Sequence, residues 1–157
     1  MPKYICPLVV VTDITKAKQF YSQVLGQEIK YDFGENVVFH GDFAIHDKRH
    51  LRTLINNEVI AKKSNSFELY FEDDAIEQLA HSLVKLEIEF IHDVRIQPWQ
   101  QKVIRFYDPD NNIIEIGESM EHVCNRLSRE GKSDEEIAKL TSLPPKFVRN
   151  SLDTAGK

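Results

Sequence analysis

The chain has 157 residues, 41% of them hydrophobic and 29% charged, with 20 Lys/Arg against 25 Asp/Glu for a net charge of −5. That balance fits one globular domain with room for a core, and it excludes the broad basic field with which proteins hold nucleic acid. No apolar run is long enough to span a bilayer. The two cysteines, Cys6 and Cys124, make neither a C-x-x-C motif nor a disulfide framework. With an N-terminus that lacks the layout of a signal peptide, they predict a reduced, cytoplasmic setting.

The first apolar, β-branched run, Ile5–Val11, predicts a strand. Asp13 or Thr15 can cap the helix that follows. Its buried stripe is Ala17, Phe20, Tyr21, Val24 and Leu25, and Gly26 suits its C-terminus. Strands are expected at Ile29–Phe33, Val37–His40 and Phe43–Asp47, separated by Gly34-Glu35-Asn36 and Gly41-Asp42 turns. The order is β-α-β-β-β. Residues 49–64 then form a linker, in which Leu51, Leu54 and Ile55 suit a short helix.

The pattern recurs after the linker. Phe67–Phe71 alternates as a strand, and Asp74 with Glu77 spells a capping box. Ile76, Leu79, Ala80, Leu83 and Val84 form a helical stripe, and Ile88–Ile91 a further strand. A loop carries Trp99, the only tryptophan. Val103–Tyr107, the turn Asp108-Pro109-Asp110-Asn111-Asn112 and Ile113–Ile116 complete a second β-α-β-β-β unit. The expected fold is therefore α+β: two units, at about residues 3–48 and 65–118, within a domain of residues 1–119. Layer logic has each sheet cover one face with its helix, and the free faces could curl into a cup.

Residues 120–157 differ. They carry seven Lys/Arg and six Asp/Glu. Val123, Cys124 and Leu127 mark one helix; Ser133 with Glu136 caps a second; Pro144-Pro145 opens a third with Phe147, Val148 and Leu152. The three short helices resemble a helix-turn-helix in miniature. Their charge argues against nucleic acid as a partner and for a helical cap or dimer arm.

Glu115 is an acid inside an apolar strand, which is costly unless it meets water, a partner or a metal. The segments VVVTDITKAKQFYSQVLGQEI and RFYDPDNNIIEI, with the paired units, resemble the vicinal oxygen chelate superfamily. That group includes glyoxalase-like, bleomycin-resistance-like and extradiol-dioxygenase-like proteins. The resemblance spans roughly residues 3–118 and leaves the tail out. It implies a cup-shaped site, a homodimer, and a small-molecule ligand with vicinal oxygens. It also implies a divalent metal (Zn, Ni, Mn or Fe) held by the first and last strands of each unit. Carried over, the last-strand ligands are His46 and Glu115. The first-strand positions hold Cys6, where His is usual, and Ser66, or Asn65 one residue away. Cys ligates only as thiolate, and Ser and Asn are weak ligands.

Strand parity nominates the other residues of the cup. They are His40, Glu68, Tyr70, Arg105 and Tyr107, with Trp99 at its mouth. Arg105 could hold an anionic substrate group, or could pair with Glu68 or Glu115 to satisfy charge. Glu115 or Glu68 could move a substrate proton. Three functions follow as expectations: a metal-dependent glyoxalase-like lyase or isomerase; a metal-free, resistance-type small-molecule binder; or a regulatory protein that uses its tail.

Overall fold

Among the described residues, eight short strands form two four-stranded sheets, each with the order first–last–third–second of its own four strands. The structure is a computed structural model and describes residues 1–154; residues 155–157 of the expected helical extension lie outside the described residues. The fold is α+β, with two β-α-β-β-β units followed by C-terminal helices. The chain separates into two compact units. One is Met1–Glu68 with Tyr107–Ile113; the other is Leu69–Phe106 with the chain from Ile114 on.

In the first unit, β1 (Leu8–Val11) runs parallel to β4 (Ala44–Asp47), β4 pairs antiparallel with β3 (Asn36–Phe39), and β3 pairs with β2 (Ile29–Asp32). Helix α1 (Ile14–Gln19) is capped by Asp13, whose side chain accepts from the Lys16 amide at 2.9 Å. It continues through a π-helical turn at Phe20–Val24 and stops near Gly26, whose φ of +64° favours glycine. Ala17, Phe20 and Tyr21 on this helical segment, and Val9, Val11, Val37, Phe39 and Ile45 on the strands, are all buried. An aromatic cluster fixes this layer: Phe39 stacks on Phe43 at 4.7 Å, and Tyr21 meets both rings at 5.6 and 5.3 Å. The linker helix is α2 (Lys48–Leu54), capped by Asp47.

The turn Asp108–Asn112 belongs to this unit. Asp108, 4% exposed, accepts from the Tyr21 hydroxyl, the Asp110 and Asn112 amides and the Asn112 side chain, at 2.8–2.9 Å. A buried carboxylate persists only with such a set of donors. Burial still raises its pKa, and it raises that of the Tyr21 hydroxyl well above its ordinary value.

In the second unit β5 (Glu68–Glu72), β8 (Ile113–Gly117), β7 (Lys102–Tyr107) and β6 (Phe90–Ile96) lie in that spatial order. Ile76, Ala80 and Leu83 of α3 (Ile76–Lys85) are buried, as are Leu69, Ile104, Phe106, Ile114 and Ile116 on the strands. Helices α4 (Met120–Arg129), α5 (Asp134–Thr141) and α6 (Pro145–Thr154) share a core of Val123, Cys124, Leu127, Ile137 and Val148. Ser133 and Glu136 form the expected capping box.

Four expectations are corrected. The first strand begins at Leu8, and Cys6 precedes it, because Tyr4 and Ile5 have no neighbouring strand and stay exposed. β3 ends at Phe39, so His40 is an exposed turn residue and not a strand residue. The second strand of the second unit is longer and later than Ile88–Ile91 and closes on β7 as a hairpin. Asp74 does not cap α3, because its carboxylate accepts from the amide and hydroxyl of Ser119, both at 2.8 Å.

Candidate functional site

Parity along the second sheet separates its two faces. Ile104, Phe106, Ile114 and Ile116 go to the buried layer, which leaves Arg105 and Glu115 on the other face. There the Arg105 guanidinium donates to the Glu115 carboxylate. Glu115 is 7% exposed, whereas the Arg105 side chain is about a quarter open to solvent. His92 Nε2 lies 3.4 Å from Arg105 Nη1, because β6 places His92 opposite Arg105. An acid inside an apolar strand thus meets its counter-charge on the neighbouring strand.

A second polar chain lies in the same unit. Trp99 sits at the tip of the β6–β7 turn, where the Gln97 amide donates to Gln101 O and the Gln100 amide to Gln97 O, both at 2.8 Å. The indole Nε1–H donates to Gln101 Oε1 at 2.8 Å. Gln101 Nε2 donates to the Tyr70 hydroxyl at 2.8 Å and to Glu118 O at 2.7 Å. Indole is only a donor and a carbonyl only an acceptor, so the orientation of the buried Gln101 amide is fixed chemically. The Tyr70 hydroxyl, accepting from Gln101, donates to Glu72 Oε1 at 3.0 Å. Burial, then the Glu72 bond, push the Tyr70 pKa up to about 12, against a lowering by Gln101; the charge of Glu115 adds to the rise. The phenol is therefore neutral at physiological pH.

Gly117 makes room for this chain. A Cβ there would lie 2.6 Å from Gln101 Nε2 and 3.2 Å from a Tyr70 ring carbon. Since Gln101 is held by three hydrogen bonds, it cannot step aside freely. Gly117→Ala is expected to cost about 1–3 kcal/mol by overpacking. A urea titration reads this as a lower midpoint, with Trp99 emission shifting in the native baseline.

The first unit carries His46 on β4, 7% exposed. Its Nε2 faces His50 Nδ1 of α2 at 3.0 Å, and its Nδ1 is buried with no hydrogen-bond partner. Burial, then the neighbouring His50, hold its pKa below the ordinary 6.5, against the pull of Asp47 and Glu35. The sign follows from linkage. The folded state disfavours imidazolium, so this contribution to stability is full above pH 6.5 and is lost as pH falls through that value. Between pH 7.5 and about 5.5 the wild type should lose more stability than His46→Gln. Equal losses in paired urea titrations would contradict this.

Glu68 and Tyr70 alternate with buried Leu69, and both are exposed on β5. Ser66 is exposed, with its hydroxyl on Ser64. The Tyr107 hydroxyl donates to Asn65 Oδ1 at 3.0 Å, and Lys63 Nζ lies 4.3 Å from the Tyr107 ring centre. Gln101, His50, Glu118 and Arg126 were not singled out by the sequence. Only His50 had a readable signal, four residues after His46.

A family model described as a glyoxalase-like domain matches residues 4–121. The chain belongs to the glyoxalase-like domain family. No curated protein matches it. Among solved structures it resembles a protein of unknown function from Agrobacterium tumefaciens, at 36% identity and a TM-score of 0.68, over 76% of this chain and 95% of that one. A lactoylglutathione lyase from Agrobacterium tumefaciens aligns at 21% identity and a TM-score of 0.58, over 76% and 96%. A fosfomycin resistance protein from Mesorhizobium loti aligns at 20% and 0.56, over 76% and 93%. These two likenesses concern the fold. The family match ends at residue 121, so most of the α4–α6 extension lies beyond it.

A glyoxalase-like protein of the metal-dependent kind needs carboxylate and imidazole donors free to ligate. Here Glu115 is neutralised by Arg105, and His46 Nε2 is bonded to His50. Cys6 lies outside β1, and Ser66 is a weak donor. Among the described residues, neither unit gathers three His, Cys, Asp or Glu side chains in a metal-holding group. Within each unit by itself, the donors present do not assemble a divalent-metal site among the described residues.

Proposed function

We propose that this glyoxalase-like protein binds a small organic cation without a metal, using the polar face of its second sheet. The carrying observation is the Arg105–Glu115 ion pair, which turns the best candidate ligand of the chain into half of an internal salt bridge. A metal bound by Glu115 would have to share the carboxylate with the adjacent Arg105 guanidinium, whose positive charge repels it. Trp99 and Tyr70 offer aromatic surface to a ligand, with the exposed Glu72 carboxylate bonded to Tyr70. Aromatic faces beside an acid favour a cation that carries its own apolar body. Residues 1–119 have nineteen acidic and thirteen basic side chains, which adds long-range attraction of the same sign.

The test is a thermal-shift screen of aromatic and aliphatic cations, run with and without EDTA. Stabilisation by a cation, unchanged by chelator and lost in Trp99→Ala, is the expected result. Stabilisation that requires added metal would overturn the reading.

A further inference from the structure

The helical extension meets the second sheet through Arg126 of α4. Its Nη2 donates to Glu118 Oε2 at 2.9 Å and to Gln100 O at 2.7 Å, while Nε donates to Glu118 Oε1 at 3.3 Å. Glu118 is 1% exposed. Its carboxylate also accepts from the Lys102 amide at 2.9 Å, and its carbonyl accepts from Gln101 Nε2 at 2.7 Å. Gln100 has a φ of +71°, an unfavourable conformation for a residue with a Cβ. One guanidinium thus holds the carbonyl of the strained turn residue and the acid behind it. Gln101, next in the chain, holds both Trp99 and Tyr70.

We infer that Arg126 is a positioning residue for the ligand face, so that the extension sets the orientation of Trp99 through Gln100, Glu118 and Gln101. The ligand role of Trp99 rests on the function proposed above; the positioning does not. The planar fork of Arg is needed because it spans a carboxylate and a carbonyl together, which the ammonium of Lys does not. The extension is thereby part of the site's support and not an appended module.

The experiment reads acrylamide quenching of Trp99, the sole tryptophan, in the full-length protein without ligand. Arg126→Lys and Gln101→Leu are each expected to raise the quenching constant about two-fold as the turn loosens. Val148→Ala, which weakens the core of the extension away from this relay, should leave it unchanged. Gln101→Leu removes no charge, so it remains informative if Arg126→Lys folds poorly. An unchanged constant in both relay variants, or an equal rise in Val148→Ala, would overturn the inference. N-methylquinolinium is the probe for binding. Its failure to bind the wild type would count against the proposed function, while the quenching result still decides the positioning.

Discussion

Arg105→Met is expected to destabilise the protein by about 2–3 kcal/mol, while Arg105→Met combined with Glu115→Leu recovers most of that loss. The single change leaves a carboxylate 7% exposed with its counter-charge gone. Breaking a buried pair on one side costs more than replacing both members, because the survivor stays desolvated. The full buried-pair penalty is reduced here, since a quarter of the Arg105 side chain is open to water and His92 stands beside it. Urea titration of the wild type, the two single variants and the double variant measures the coupling. Losses that simply add would contradict an Arg105–Glu115 pair.

Asp108→Ala should cost about 2–4 kcal/mol, the other large effect. It removes the acceptor of four hydrogen bonds and leaves the Tyr21 hydroxyl without one in a fully buried position. It also frees the Asp110–Asn112 backbone, whose Asn112 side chain bonds Val10 O at 3.2 Å. Tyr21→Phe removes one bond and leaves Asp108 three donors, so about 1 kcal/mol is expected. The double variant should cost little more than Asp108→Ala, because the Tyr21 hydroxyl is then absent and not stranded. A Tyr21→Phe loss as large as that of Asp108→Ala would refute this division.

Much of the fold was legible because periodicity survives local detail. The stripe from Ala17 to Leu25, the Asp13 cap and the Ser133–Glu136 box each signal a short-range choice. Arg105 and Glu115 were legible in the same way, since alternation alone puts them on one face. The sequence left open whether Arg105 would pair with Glu68 or Glu115. The structure shows the pair with Glu115, which neighbouring strands β7 and β8 bring together.

Other features depend on contacts distant in the chain. Nothing in Pro98–Lys102 says that Gln101 is buried, because its burial needs Gly117 on another strand and Glu118 beyond it. His40 falls in the turn because Gly41-Asp42 begins turning one residue earlier than the apolar run suggests, with Asp42 at φ +54°. Asp74 fits a capping pattern, but Ser119, 45 residues later, takes its carboxylate. Local pattern fixes the elements, and long-range polar partners fix the candidate site.

The most direct test of metal independence is thermal melting of the purified, EDTA-treated protein, followed by separate additions of Zn, Ni, Mn and Fe(II). With Glu115 committed to Arg105, no addition should move the melting temperature. A metal at a hundred times its dissociation constant stabilises by about 2.7 kcal/mol. A rise of that order, abolished by Glu115→Gln, would contradict the account.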